Sequence, residues 1–114
     1  MILITGALYS GKREYAHENY GVSEEDLGKS CVFEAQELVR DPEKYPDLSV
    51  LCGQLSKMKV VTVSETGAGV VPVGIDEREY RERAGVLSQM LAKEAETVVR
   101  MICGIPQIIK DTNR

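Results

Sequence analysis

Apolar and polar residues fall into two kinds of block along this chain. Short runs rich in valine and isoleucine, at residues 1–4 and 60–63, have the length and composition of buried strands. Longer blocks place apolar residues three or four positions apart, as a helix does when it packs one face on a sheet. The longest such block predicts a helix over residues 77–96, with Asp76 and Glu79 at capping-box spacing. Its predicted buried face carries Tyr80, Ala84, Leu87, Leu91 and Ala95.

Strand and helix blocks alternate along the sequence. The predicted strands cover residues 2–5, 30–33, 60–64, 98–103 and 107–110, and the predicted helices cover residues 12–20, 48–58 and 77–96. Gly21 is predicted to end the first helix and Asp47 to cap the second, whereas residues 34–40 fit either a strand end or a helix. This order predicts one α/β domain over residues 1–114, with a mostly parallel sheet and helices on both faces.

The turn after the first strand has the composition of a phosphate-binding P-loop. It comprises Gly6, Ala7, Leu8, Tyr9, Ser10, Gly11 and Lys12. Glycines let consecutive backbone N–H groups face an anion, the following helix adds its positive dipole end, and the lysine supplies a mobile charge. We therefore predict that residues 6–13 bind the phosphates of ATP or GTP. The alternative, an ordinary turn between strand and helix with a solvated lysine, stays open.

Arg13 departs from the P-loop pattern. A P-loop carries serine or threonine after its lysine, and that hydroxyl binds Mg²⁺. An arginine neutralises phosphate charge but does not orient Mg²⁺, so we expect weakened metal binding and find phosphate binding better supported than catalysis. The guanidinium either faces a bound anion or extends into solvent, and the sequence leaves both open.

The composition narrows the classes of partner. The net charge is -4 and the lysine and arginine residues are scattered, so we do not expect a nucleic acid partner. No apolar run approaches the ~20 residues of a membrane span, and we expect a cytoplasmic protein without a membrane partner. Cys31, Cys52 and Cys103 fit small buried side chains in a reducing compartment. Three separated cysteines and one histidine do not predict a zinc site.

Two glutamates are candidates for the carboxylate that phosphoryl transfer ordinarily has near its metal ion. Glu34 and Glu65 each follow an apolar run, and the carboxyl ends of parallel strands form the ligand-binding edge of such a sheet. A second glycine turn, at residues 66–69, either brings the backbone close to a ligand or only turns the chain. The residues alone leave open whether either glutamate is catalytic or a surface group at a strand end.

Several ordered blocks of the sequence resemble one known family. They are the opening MILITG with SGK, the stretch VVTVSETGAGVVP from residue 60, the stretch YRERAGVLSQMLA from residue 80, and GIP with IK before residue 111. Together they resemble the bifunctional adenosylcobinamide kinase / adenosylcobinamide-phosphate guanylyltransferase family of cobalamin biosynthesis. The resemblance implies a fold of the P-loop-containing nucleoside triphosphate hydrolase type and commonly a homotrimer. It also implies phosphorylation of the aminopropanol hydroxyl of a cobinamide-like acceptor.

The resemblance further implies roles for particular residues. Lys12 and Glu65 are the expected catalytic residues, because both fall in matching blocks whereas Glu34 does not. Members of the family transfer GMP from GTP through a histidine in an internal segment that this chain mostly lacks. His17, the single histidine, does not correspond to it. We therefore expect ATP or GTP phosphate binding, and we do not expect guanylyl transfer by that route.

Two other functions remain open. The arginine in the hydroxyl position and the shortened middle also fit a non-catalytic relative that keeps the nucleotide cradle, or only the fold, as a binding or assembly partner. A shortened middle also fits a P-loop phosphotransferase with an unrelated acceptor. Titration of ATP and GTP with and without Mg²⁺ separates a kinase from a metal-independent cradle.

Overall fold

The computed structural model of the chain describes residues 1–65 and 75–112. Strands and helices alternate along it, as the sequence predicts. The strands are β1 (Ile2–Gly6), β2 (Cys31–Val32), β3 (Val60–Ser64), β4 (Thr97–Ile102) and β5 (Ile105–Asp111), and the α-helices are α1 (Lys12–Tyr20), α2 (Leu48–Leu55) and α3 (Ile75–Glu94). Two 3₁₀ helices, Glu24–Asp26 and Ala35–Arg40, lie between α1 and α2. The predicted glycine turn at residues 66–69 lies outside the described residues.

One five-stranded sheet has the order β2–β3–β1–β4–β5. Neighbouring strands are parallel from β2 to β4, and β5 is antiparallel to β4 at one edge. Parallel strands that follow each other in the chain need crossover connections, and α1, α2 and α3 each lie within one of them. The predicted α/β architecture with a mostly parallel sheet is confirmed for the described residues.

The two faces of the sheet bury separate sets of side chains. Successive residues of a strand point to opposite faces, and Leu3 and Ile4 of β1 accordingly belong to different clusters. The cluster around Leu3 includes Leu51 of α2 and Leu87 of α3. The cluster around Ile4 includes Ala16 of α1. Helices therefore cover both faces of the parallel strands, whereas β5 at the edge of the sheet is largely exposed.

The longest helix, α3, starts earlier than predicted. It begins at Ile75 and ends at Glu94, so Asp76 lies in its first turn, and the predicted capping box at Asp76 is wrong. Its predicted apolar face is buried, with Leu87 and Leu91 fully inaccessible to solvent. Among the described residues, no helix combines the length and the apolar composition needed to cross a membrane.

One cysteine also differs from the prediction. Cys31 and Cys52 are buried, whereas Cys103 is exposed. Cys103 has a φ of 51° and lies in the tight turn between β4 and β5. The apolar neighbours that suggested burial belong to strands, and the turn carries the cysteine out of them.

The N-cap of α2 provides a test of local stability. Asp47 precedes the helix, and its carboxylate accepts a hydrogen bond from the backbone N–H of Ser49 at 2.9 Å. We expect Asp47→Ala to lower the free energy of unfolding by about 1 kcal/mol, because an N–H of the first turn loses its acceptor. Urea unfolding measures this. Glu43→Ala, which removes an exposed carboxylate from the same connection, is the control, and an equal loss in both variants would contradict the capping role.

Candidate functional site

The carboxyl ends of three parallel strands meet at one edge of the sheet. Gly6 ends β1 and pairs in register with Ser64, the last residue of β3. The backbone N–H of Glu65 donates to the Gly6 carbonyl oxygen at 2.8 Å. Glu34 follows β2, which pairs with β3. The sequence-predicted site residues on these strands therefore lie at the edge where parallel sheets bind ligands.

The connection from β1 to α1, residues 6–12, is called the glycine loop below. Gly6 has a φ of 149°, and a Cβ there would lie 2.6 Å from the Met101 carbonyl oxygen. Gly11 has a φ of 95° and packs against Gly104, whose N–H donates to the Ser10 carbonyl oxygen at 3.0 Å. Both positions require glycine, and the loop is held against the turn between β4 and β5.

The glycine loop offers the polar groups that a phosphate chain needs. Gly11 precedes α1 in a left-handed conformation and no side chain caps the helix, so the first N–H groups of α1 have no capping acceptor. The Ser10 hydroxyl is buried and has no hydrogen-bond partner among the described residues. A buried hydroxyl without a partner is unfavourable in the protein alone, and a ligand oxygen would satisfy it. The residues present therefore fit a polyphosphate.

Lys12 is almost fully buried although its side chain carries a charge. The side chain is 4% exposed. Nζ donates to the Ala7 carbonyl oxygen at 2.7 Å and lies 3.5 Å from Oε1 of Glu34. The ammonium group therefore lies over the glycine loop, where it would contact a bound phosphate while remaining beside Glu34.

Glu34 is held in place by neutral groups as well as by Lys12. Its carboxylate accepts hydrogen bonds from Nε2 of Gln36 at 2.7 Å and from the hydroxyl of Ser64. Burial acts to raise the pKa of Glu34, but these hydrogen bonds and the charge of Lys12 outweigh it and lower the pKa below its ordinary value. The carboxylate is therefore ionised at neutral pH. The stability it contributes is present above its unfolded-state pKa and is lost as the pH falls through the lower folded-state value.

Glu65 lies at the same edge and is paired with a different cation. Its carboxylate accepts hydrogen bonds from Nε of Arg100 at 2.6 Å and from Nη2 at 3.1 Å. The hydrogen bonds from Arg100 lower the pKa of Glu65, and the charges of Arg100 and Lys12 act in the same direction. Lys12 thus acts on both glutamates, but the one beside it is Glu34. The predicted catalytic role of Glu65 stays a prediction.

Arg13 extends towards the rim of the site. Its guanidinium lies 3.3 Å from the Glu24 carboxylate and 5.3 Å from the centre of the Phe33 ring. It also borders a cleft of about 400 Å³ that is lined by Leu8, Tyr9, Ser10, Gly11, Lys12, Arg13, Glu14 and Glu34. The first turn of α1 thus presents a second cation to the cleft in place of a hydroxyl that could bind a metal ion.

A metal ion bound at the strand ends would have few ligands from the protein. Within residues 1–65 and 75–112, no three side chains of His, Cys, Asp or Glu are grouped so that they could hold an ion. A Mg²⁺ that arrives with nucleotide phosphates needs only one or two protein carboxylates, because phosphate oxygens and water complete its shell. Glu65, which follows β3, is the candidate for that carboxylate. His17 is exposed on α1, five residues after Lys12.

Three residues around Glu34 were not identified from the sequence. Gln36 orients the Glu34 carboxylate, and its own Oε1 accepts a hydrogen bond from the Ser64 backbone N–H at 3.0 Å. The Thr62 hydroxyl accepts a hydrogen bond from the Glu34 N–H at 2.9 Å. A sequence signal exists in the polar positions of the otherwise apolar strand β3, at Thr62 and Ser64, both of which are buried.

Comparisons with known proteins match the later part of the chain. The family described as cobinamide kinase / cobinamide phosphate guanyltransferase matches residues 38–109. The bifunctional adenosylcobalamin biosynthesis protein CobP of Pseudomonas aeruginosa is 38% identical over 58 residues, which are 51% of this chain and 34% of the relative. The chain thus spans about a third of the length of the curated relative it matches. The glycine loop and Glu34 precede the matched residues, so the match gives no information about them.

Proposed function

The chain belongs to the cobinamide kinase / cobinamide phosphate guanyltransferase family, and we propose that it binds a nucleoside triphosphate and transfers its γ-phosphoryl group. The nucleotide, ATP or GTP, binds at residues 6–13 in a P-loop. The acceptor is the alcohol of a cobinamide-like small molecule. Because the match covers only 34% of the curated relative, that protein's full set of activities is not carried over.

The position of Lys12 is the observation that carries this proposal. A lysine that is 4% exposed is uncommon unless its charge is paired. Here the cation lies over a loop whose backbone requires glycine at two positions and whose buried Ser10 hydroxyl has no partner among the described residues. A cation, open N–H groups and an unsatisfied hydroxyl at one turn are together what a phosphate chain needs.

Each group has a defined task in the proposed reaction. The N–H groups of the glycine loop bind the phosphates, and Lys12 bridges the β- and γ-phosphates as the negative charge redistributes. Glu65 is the proposed carboxylate for the metal ion that enters with the nucleotide. Phosphoryl transfer depends mainly on such positioned charge, so a small site of this kind is sufficient.

Phosphoryl transfer to adenosylcobinamide tests the proposal. The purified chain is incubated with Mg·ATP or Mg·GTP and adenosylcobinamide, and the phosphorylated product is quantified by mass spectrometry. We expect product that depends on both substrates. Saturable nucleotide binding without any product would contradict the kinase and support the second candidate function.

That second candidate is a nucleotide-binding relative without catalysis, and Arg13 is the observation that favours it. Arg13 stands at the sequence position of the usual metal-binding hydroxyl, and its guanidinium contacts Glu24 and Phe33. Two cations at the start of one helix neutralise phosphate charge without a metal ion. Such a cradle would bind nucleotide equally well with and without Mg²⁺.

Replacing Arg13 tests how much this residue reduces the effect of Mg²⁺ on nucleotide affinity. We expect Mg²⁺ to tighten ATP binding by about tenfold more in Arg13→Ser than in the wild type, a difference of ~1.4 kcal/mol, because a hydroxyl ligand is restored. Calorimetric titration with and without Mg²⁺ gives both constants. Arg13→Ala removes the cation without adding a ligand and is the control. An equal Mg²⁺ effect in the two variants would show that the position is not a metal site.

Three further properties are proposed from the family resemblance and from the sequence. The chain assembles as a homo-oligomer, with a trimer as the expected form, and acts in the cytoplasm. Guanylyl transfer through a histidine is not part of the proposed activity, because the chain mostly lacks the internal segment that carries the family's histidine, and His17, exposed on α1, does not correspond to it. Light scattering of the purified chain measures the oligomeric state.

A further inference from the structure

The backbone of Glu34 adopts a conformation that non-glycine residues rarely hold. Its φ of 56° and ψ of 52° are left-handed, which costs about 1 kcal/mol or more for a residue with a Cβ. The conformation is held by the hydrogen bond from the Glu34 N–H to the buried Thr62 hydroxyl at 2.9 Å. Backbone strain that is stabilised by a buried partner is typical of functional positions. It directs the side chain of Glu34 to the glycine loop.

The two oxygens of the Glu34 carboxylate have different surroundings. Oε2 accepts hydrogen bonds from Gln36 and Ser64, which fix the orientation of the group. Oε1 lies 3.5 Å from Nζ of Lys12, which is longer than the ordinary 2.7–2.9 Å of a charge-assisted hydrogen bond. Oε1 therefore has capacity for another donor. Glu34 borders the same cleft as the glycine loop.

The position of Oε1 beside Lys12 indicates which kind of donor it would bind. In a P-loop the lysine reaches the β- and γ-phosphates, so Lys12 marks where the transferred group would lie. An ionised carboxylate beside that group repels it unless a proton donor lies between them. An acceptor hydroxyl is such a donor, and it must approach the γ-phosphorus to react. We propose that Glu34 is a catalytic residue that binds the acceptor hydroxyl through Oε1 and removes its proton.

This inference rests on the proposed kinase function and adds the group that activates its acceptor. The acceptor O–H bond breaks and its proton passes to Oε1 of Glu34. The acceptor oxygen bonds to the γ-phosphorus, and the bond from that phosphorus to the β–γ bridging oxygen breaks, its electron pair leaving with the nucleoside diphosphate. The proton on Glu34 then passes to solvent, which restores the carboxylate. The substrate class is an alcohol that is small enough at its hydroxyl end to reach Oε1.

The charged groups near Glu34 set the expected pH dependence. From α1, Lys12 faces the carboxylate, and Arg13 and Glu14 border the cleft. The element after β2 and strand β3 contribute neutral groups, Gln36, Thr62 and Ser64. The Lys12 charge and these hydrogen bonds keep the carboxylate ionised. Glu34 is therefore expected to add no pH dependence to the wild-type kcat between pH 6 and 8.

Glu34→Gln tests the proposal with the full chain, Mg·ATP and adenosylcobinamide. We expect kcat to fall by about 100-fold or more, as is usual when a general base is lost, while ATP affinity is unchanged or tighter. The kcat of Glu34→Gln is also expected to rise with pH between 6 and 8, because solvent hydroxide must take the proton. Glu34→Asp keeps a carboxylate and should recover part of kcat. Glu18→Gln, an exposed glutamate of α1, is the control and should match the wild type.

The outcomes separate this inference from the function on which it rests. An inactive wild type would overturn both. An active wild type with equal kcat in Glu34→Gln would overturn only the role of Glu34. Loss of ATP affinity confined to measurements with Mg²⁺ would identify Glu34 as a metal ligand and overturn the role proposed for it. Ser64→Ala gives an independent check, because it removes one orienting hydrogen bond and should lower kcat by about tenfold without changing ATP affinity.

Discussion

Lys12→Ala is expected to weaken ATP and GTP binding by more than about 100-fold, since a hydrogen bond to a charged group contributes ~1.5–3 kcal/mol and a repulsion is added. The lost cation is the group that bridges the phosphates. Its removal also leaves the Glu34 carboxylate, 3.5 Å away in the wild type, without its cation and facing the phosphate chain. Calorimetric titration with each nucleotide measures the loss.

Two further variants identify the cause of that loss. Lys57→Ala removes one exposed positive charge far along the sequence, on the turn after α2, and should leave the affinity unchanged. The double variant of Lys12→Ala with Glu34→Gln removes the repelling carboxylate as well, so it should recover part of the lost affinity. Unchanged affinity in Lys12→Ala would show that the nucleotide binds elsewhere.

Gly6→Ala is expected to lower the free energy of unfolding by about 3 kcal/mol and to remove nucleotide binding. The φ of 149° is unfavourable for alanine, and the new Cβ would lie 2.6 Å from the Met101 carbonyl oxygen. That oxygen belongs to the backbone of β4 and cannot rotate away. The loop would have to shift, which would displace the groups proposed to bind the phosphates. Urea unfolding and ATP titration measure the two effects.

Substitutions at two other glycines serve as controls that distinguish backbone strain from steric collision. Gly28 has a φ of 78° but no atom within 4 Å of its Cβ position, so Gly28→Ala should cost only ~1–2 kcal/mol. Gly53 lies in α2 with an open Cβ position, and Gly53→Ala should stabilise the chain by ~0.5–1 kcal/mol. If Gly6→Ala cost no more than Gly28→Ala, the close approach to β4 would not be what requires glycine at position 6.

Local sequence patterns were sufficient for most of the fold. The apolar run that starts at residue 60 forms β3 with the predicted bounds. Helix α1 covers residues 12–20 as predicted, and Gly21 is its left-handed C-cap. The periodic face of α3 is buried. These features depend on neighbours within one element, which is the information that a single sequence contains.

The choice between the two glutamates depends on residues far apart in the chain. Glu65 matched the family blocks and was therefore preferred, but Arg100 of β4 pairs with it. Glu34 lies beside Lys12 because β2 is placed next to β3 in the sheet and Ser64 orients its carboxylate. The order of strands and the left-handed backbone of Glu34 are tertiary features that no spacing along the sequence encodes.

The sequence also left open whether the Arg13 side chain faces the site or solvent, because its direction depends on tertiary contacts. Its two contacts, Glu24 and the Phe33 ring, belong to the segment between α1 and the second 3₁₀ helix. That segment shows little periodicity, so its position relative to α1 could not be predicted. The structure places the guanidinium between solvent and the cleft, where it borders the site without offering a metal ligand.

Backbone amide shifts give the sharpest test that the glycine loop binds polyphosphate. A ¹H–¹⁵N spectrum of the wild-type chain is followed as tripolyphosphate, which has no base or sugar, is added. If the loop N–H groups bind phosphate oxygens, the largest saturable shifts belong to residues 6–13, and ATP displaces tripolyphosphate from the same amides. Saturable shifts centred on another surface, or none in the loop, would contradict the account.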